Sequence, residues 1–258
     1  MLDVTDHHGV RVVTFDRSDA LNAMNNALYW AATDALSAAA ADPSVAVVVL
    51  TGRGRAFCAG QDMGEMSAGA YDGRGHGFPA FVDGLAEFSK PVIAAVNGLA
   101  LGIGATMLAF CDLVVMADTA RLRLPFPALG VAPEAGSSYT FPVAMGLQQA
   151  AYYLYTSEWM NADAAVASGL AWNVVPAEDL LTETMHVAAK ISAMPVVSLV
   201  ATKELIVAAR RDAVRAARAR EDAVFAQLIG GPANIEAITA FFEKRSPDFS
   251  NLPSDRAT

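Results

Sequence analysis

Three uninterrupted apolar runs constrain this chain most: "VAVVVLTG" at 45–52, "PVIAAVNG" at 91–98 and "LVVMAD" at 113–118. A strand with one wet face alternates apolar and polar residues, and these runs do not. Each reads as a strand covered on both faces, as in a parallel sheet flanked by helices. "VRVVTFD" (10–16) adds a β-rich run and "AWNVV" (171–175) a short final one. Between them, "MNNALYWAATDALSAAAAD" (24–42) predicts a helix, with Asn25 or Asn26 as its cap and Pro43 as its stop. "GATMLAFCD" (104–112) predicts another. Strands alternating with helices specify an α/β fold with a mostly parallel sheet. Beyond residue 143 the patterns are helical apart from 171–175.

A chain of 258 residues buries a large core without covalent staples. Its two cysteines, Cys58 and Cys111, are far apart and show no zinc spacing, which fits a reduced, cytoplasmic setting. The net charge of −9 disfavours nucleic acid and anionic membranes as partners. The N-terminus lacks the basic-then-apolar pattern of a signal peptide. Residues 91–110 carry no charge and are long enough to cross a bilayer. Asn97, Thr106 and the glycines break that run, so it reads as a buried strand, turn and helix. The four histidines have neither acidic partners nor metal spacing, so no metal site is expected. Four glycines in "GAYDGRGHG" (69–77) predict a mobile segment.

Three motifs could carry chemistry. In "NGLALGIGATM", Gly102 and Gly104 match the first two glycines of a dinucleotide fingerprint, but the third position is Met107, so the match fails. The glycines still mark a strand giving way to a helix, where backbone N–H groups are unpaired and a ligand can approach closely. "RAFCAGQD" (55–62), with Gly60 and Asp62, is a second such turn. Two turns side by side at the ends of parallel strands would aim two N–H groups at one oxygen, forming an oxyanion hole. In "GVAPEAGSSYTFP" (130–142), Glu134 is the sole acid between Asp118 and Glu158. It is either a charge near a helix start or a general base. "GSSYT" is not Gly-x-Ser-x-Gly, which argues against a serine hydrolase. Arg211, Arg215 and Arg218 share a helical face and suggest a solvated face or intersubunit ion pairs. Arg53, Arg55, Lys203 and Lys244 are candidates for meeting a phosphate.

Taken in order, "FDRSDALNAMN", "RAFCAGQDM", "KPVIAAVNGLALGIGATMLAFCDLVVMAD", "ALGVAPEAGSSYTFP" and "AFFEKRSPDF" resemble the crotonase, or enoyl-CoA hydratase/isomerase, superfamily over nearly the whole chain. The resemblance implies a ββα-spiral core over 1–190 and a C-terminal helical trimerisation region over 191–258. It implies homotrimers or dimers of trimers. It also implies acyl-CoA thioester substrates, with CoA entering as part of the substrate and no separate cofactor. The backbone N–H groups of Ala59 and Ile103 would form the oxyanion hole. Gly60, Asp62, Gly102, Gly104, Phe126, Arg55 and Lys244 would contribute to substrate binding. Hydratases of the family use two glutamates, and the resemblance puts Thr106 and Phe126 at those positions. Glu134 falls where the Δ3,Δ2-enoyl-CoA isomerase branch carries its single acid–base carboxylate. The expected activity is therefore double-bond migration in a 3-enoyl-CoA. Hydration, epoxide ring expansion, thioester hydrolysis and a non-catalytic acyl-CoA scaffold are the alternatives.

Overall fold

Three buried strands of the main sheet each continue, after a short turn, into a second strand that belongs to a different sheet. The computed structural model describes residues 1–68, 73–250 and 252. In chain order they form β1 (Leu2–His7), β2 (Val10–Phe15), α1 (Asn26–Ala41), β3 (Val47–Gly52), β4 (Ala56–Cys58), α2 (Met63–Ala68), α3 (Gly77–Ala86), β5 (Val92–Val96) and β6 (Leu99–Leu101). Then come α4 (Ile103–Thr106), β7 (Leu113–Ala117), β8 (Arg121–Arg123), α5 (Ser137–Met145), α6 (Leu147–Thr156), β9 (Met160–Asn161), α7 (Ala162–Ser168) and β10 (Asn173–Val175). Four helices close the chain: α8 (Leu180–Ser192), α9 (Val196–Ala208), α10 (Arg211–Leu228) and α11 (Pro232–Glu243).

The larger sheet has the order β1-β2-β3-β5-β7-β10 and the smaller β4-β6-β8-β9. In the larger sheet β1 is antiparallel to β2 and the other pairings are parallel. The pairs β3/β4, β5/β6 and β7/β8 are thus three stacked units, each crossing from one sheet to the other. Asparagines bind the crossings together. Asn97 Nδ2 donates to the Gly54 carbonyl at 2.8 Å, and Asn97 Oδ1 accepts from Gly52 N–H at 3.1 Å. Asn22 Nδ2 donates to the Ala56 carbonyl at 2.7 Å. These carbonyls lie where strands end and the ladder no longer serves them.

The apolar runs at 45–52, 91–98 and 113–118 form β3, β5 and β7, buried on both faces as expected. Of the two cap candidates Asn25 is the cap, so helix α1 begins at Asn26: the Asn25 side chain accepts from Leu28 N–H. The helix expected over 104–112 is shorter. Only α4 is α-helical, followed by a 3₁₀ turn over Met107–Phe110, and Cys111 is extended. The uncharged run 91–110 is divided among β5, β6, α4 and that turn, and no helix among the described residues is long and apolar enough to cross a membrane. Strands β4, β6 and β8 have three residues each, too few for a sequence period to reveal. Part of the glycine-rich segment expected to be mobile, residues 69–72, lies outside the described residues.

Helix α8 lies across β3, β5 and β7, and α10 packs on α5. Lys203 of α9 is buried, donating to the Lys90 carbonyl at 2.9 Å and pairing with Asp112 at 2.8 Å. Arg53 pairs with Asp3 and Asp16. Both cations are thus engaged in ion pairs within the fold. Arg211 and Arg215 pair with Glu87, and Arg218 with Asp83, so this face binds α10 to the α3 region within one chain.

Candidate active site

The ends of β4 and β6 bring the two glycine turns into contact. A side-chain carbon built on Gly102 would lie 3.9 Å from Gly60 Cα and 3.8 Å from Glu134 Oε1. Gly102 has φ 49° and ψ −122°, a conformation closed to residues with a Cβ. Chain reversal at Gly102 sends the next residue, Ile103, into α4.

Two backbone N–H groups face the cavity beside Glu134, and one is not the expected one. Ala59 N–H donates to the Leu21 carbonyl at 3.0 Å, so it is not free to bind a ligand oxygen. The next residues run beside Met24: Met24 N–H donates to the Gly60 carbonyl at 2.7 Å, and Asp62 N–H donates to the Met24 carbonyl at 3.0 Å. This parallel bridge pairs Met24 with Gln61. In such a bridge the N–H of the central residue turns away from its neighbour. Gln61 N–H therefore points out of the bridge and has no acceptor among the described residues. Ile103 N–H, at the start of α4, is likewise unpaired. Gln61 and Ile103 both line the cavity. Ala59 N–H is thus already paired within the fold, and the free N–H groups at the two turns belong to Gln61 and Ile103. The register of 59–62 against 21–24 decides this, and no local motif carries that register.

Glu134 enters the site through a strained link. Ala135 has φ 59°, a left-handed conformation that costs a non-glycine residue roughly 1–2 kcal/mol. The Glu134 carbonyl accepts from Ser137 N–H at 3.0 Å and Ser137 Oγ at 2.6 Å. Glu221 of α10, itself buried, caps α5 from across the structure. Its two oxygens accept from Gly136 N–H at 2.6 Å and Ser138 N–H at 2.7 Å. The backbone around Glu134 is therefore pinned on both sides, while its carboxyl faces the cavity.

Burial pushes the Glu134 carboxyl up to about 8, and the carboxylates of Glu221 and Asp222 add to the effect. Folding then favours the protonated form, so stability is fully present below about 4.5 and is lost as the pH rises toward about 8. Glu134→Gln has no proton to lose. Between about pH 5 and about pH 9 its stability relative to the parent is expected to improve by roughly 2–4 kcal/mol in denaturant unfolding. An unchanging difference would show that Glu134 titrates normally. Cys58, beneath the turns, is pushed up to about 12 by burial and stays a neutral thiol at neutral pH.

The cavity is about 230 Å³. Phe126, Leu129 and Val131 form one wall. The C-terminal helical region supplies Phe225, Ile229 and Phe241, an unexpected contribution to the site. Glu134 and Arg123 are its only charged lining side chains among the described residues. Gly60 and Gly102 line it. Thr106 is fully buried away from it, its hydroxyl unpartnered. Gly104 is also off the cavity and works by packing: a Cβ there would meet the Cys58 carbonyl oxygen at 2.1 Å. Asp62 is occupied with structure, pairing with Arg17 at 2.8 Å and accepting from Gly64 N–H at 3.0 Å. Arg55 and Lys244 are exposed and outside the cavity. No group of three or more metal-ligating side chains occurs among the described residues.

Comparison with known proteins agrees with this architecture. The enoyl-CoA hydratase/isomerase family model matches residues 5–252. The 2,3-dehydroadipyl-CoA hydratase of Escherichia coli (strain K12) is 36% identical over 253 residues, covering 96% of this chain and 98% of the relative. The 1,2-epoxyphenylacetyl-CoA isomerase of the same organism is 31% identical, covering 94% of this chain and 95% of the relative. The crystal structure of an enoyl-CoA hydratase/isomerase from Pseudoalteromonas atlantica T6c superposes with a TM-score of 0.93 at 32% identity, over 96% of this chain and 99% of that one. Stacked strand pairs, touching glycine turns and a match of nearly full length lead to one conclusion: the chain belongs to the enoyl-CoA hydratase/isomerase family.

Proposed function

We propose that the chain moves the double bond of a 3-enoyl-CoA to the 2-position, with Glu134 as the only acid–base group. The observation that carries this reading is that, among the described residues, the cavity carries a single carboxyl beside two unpaired N–H donors. The thioester oxygen accepts from Gln61 N–H and Ile103 N–H. Glu134 takes a proton from C2, and the C–H electron pair spreads into a dienolate whose charge rests on that oxygen. The Glu134 carboxyl then returns the proton at C4. One double bond moves, and nothing is added or lost. Each N–H donor contributes roughly 3–4 kcal/mol to holding the developing charge. Apolar walls keep competing water away from the dienolate.

Hydration is the second reading, favoured by the name of the Escherichia coli relative, 2,3-dehydroadipyl-CoA hydratase. Against it stand Thr106, buried off the cavity, and Phe126, an apolar wall residue, at the positions assigned to the water-activating glutamates. Incubation with 3-hexenoyl-CoA and, separately, with crotonyl-CoA distinguishes the two. Isomerisation of the first is expected to exceed hydration of the second by at least about 100-fold, the span a missing acid–base group typically covers. Faster hydration would overturn the isomerase reading.

Assembly into trimers is part of the same proposal. It is supported by exposed Val197, Leu205 and Ile206 on α9 and Phe242 on α11. Arg55 and Lys244 remain our proposed contacts for the CoA phosphates, being exposed cations outside the acyl cavity.

A further inference from the structure

We infer that Arg123 makes this a site for acyl-CoA thioesters whose acyl chain ends in a carboxylate. The inference rests on reading the cavity as an acyl-CoA site, but not on which reaction follows.

Arg123 ends β8, with its backbone in register with Leu101, another cavity residue. Its Nε donates to the Ser157 carbonyl at 2.7 Å, and its guanidinium lies 5.5 Å from the centre of the Trp159 ring. These contacts fix the side chain without neutralising it. No carboxylate among the described residues pairs with Arg123, whereas Arg11, Arg17, Arg53, Arg211 and Arg245 each pair with at least one. A cation without a counter-ion on an apolar cavity wall is costly unless a ligand supplies the charge.

Glu134 does not fill that role. No ion pair joins the two residues, and the shift of the Glu134 carboxyl is set by burial, Glu221 and Asp222. Both groups line one cavity without pairing with each other. A thioester at Glu134 places its acyl chain against Phe126 and Leu129, and a terminal carboxylate then meets Arg123. With Nε committed to Ser157, the two terminal nitrogens remain, and they match the two oxygens of a carboxylate. An uncharged acyl chain would leave the half-buried guanidinium without a carboxylate partner.

The test uses saturated thioesters, which bind without turning over. Adipyl-CoA and hexanoyl-CoA have the same chain length and differ only in the terminal carboxylate. By calorimetry, adipyl-CoA is expected to bind roughly 10- to 100-fold more tightly. Arg123→Met should bring the affinity ratio close to one, and Arg123→Lys should restore part of it. Reading a ratio cancels any general loss of binding. Should Arg123→Met fail to fold, the parent ratio and the lysine variant still decide. Equal binding of the two thioesters by the parent, or an unchanged ratio in Arg123→Met, would overturn the inference alone. Failure of the parent to bind either thioester would overturn the acyl-CoA reading and this inference with it.

Discussion

Glu134→Gln is expected to lower kcat for a 3-enoyl-CoA by about 10⁴-fold while affinity for a saturated acyl-CoA changes by less than about threefold. Positioned acid–base groups contribute roughly 10²–10⁴ each. Here the same carboxyl performs both proton transfers, so its loss falls at the upper end or beyond. Glutamine keeps the shape and polarity of the side chain but cannot accept the C2 proton. The pH dependence provides a second reading of the same group. Burial raises the carboxyl to about 8, so in the empty site it is mostly protonated at neutral pH. The base form accumulates as the pH rises, and kcat/KM should climb through an apparent pKa near that value. Glutamate with ordinary acidity would give a profile already flat by neutral pH. A Glu134→Gln variant that retains most of its activity, or a flat profile, would remove Glu134 from the mechanism.

The sequence revealed the parts of this site but not how they meet. Uninterrupted runs announced β3, β5 and β7, because a strand buried on both faces needs no polar residues. The short strands β4, β6 and β8 carry no period, and it is their stacking that makes the two glycine turns touch. Glu134 stood out as a lone acid, and the family resemblance gave it a role. Its burial, and the added push of Glu221 and Asp222 nearly 90 residues downstream, are features that no local pattern connects to it. The proposed first oxyanion donor moves from Ala59 to Gln61 for a related reason. Ala59 and Gln61 are equally plausible in the string "CAGQD", and only the bridge to Met24 shows which N–H is already paired. Arg123 went unnoticed because a charged residue in "RLR" looks like the exposed edge of a strand, as Arg121 is. Its neighbours Leu101 and Phe126 place it on the cavity instead.

Gly104→Ala is expected to be severely damaging to both stability and the site. The added methyl would sit 2.1 Å from the Cys58 carbonyl oxygen and 3.0 Å from the Cys58 carbonyl carbon and Cβ. These contacts are with backbone inside a buried strand, so no side-chain rotation relieves them. Either β4 separates from α4 or the variant fails to fold. Overpacking of this kind costs about 1–3 kcal/mol where neighbours can shift, and more where they cannot. A loss of at least 3 kcal/mol in unfolding free energy is therefore expected, larger than any surface change would cause. The same displacement moves Ile103 N–H away from Gln61 N–H, so any folded fraction should lose kcat more than affinity, since two donors must converge on one oxygen. Gly84→Ala is the matched control. Gly84 lies within α3, and a Cβ there meets nothing within 4 Å. That variant should gain roughly 0.5–1 kcal/mol, the ordinary benefit of alanine over glycine within a helix. Equal stability in the two variants would mean that β4 and α4 are not in close contact, and the oxyanion geometry drawn from that contact would fall with it.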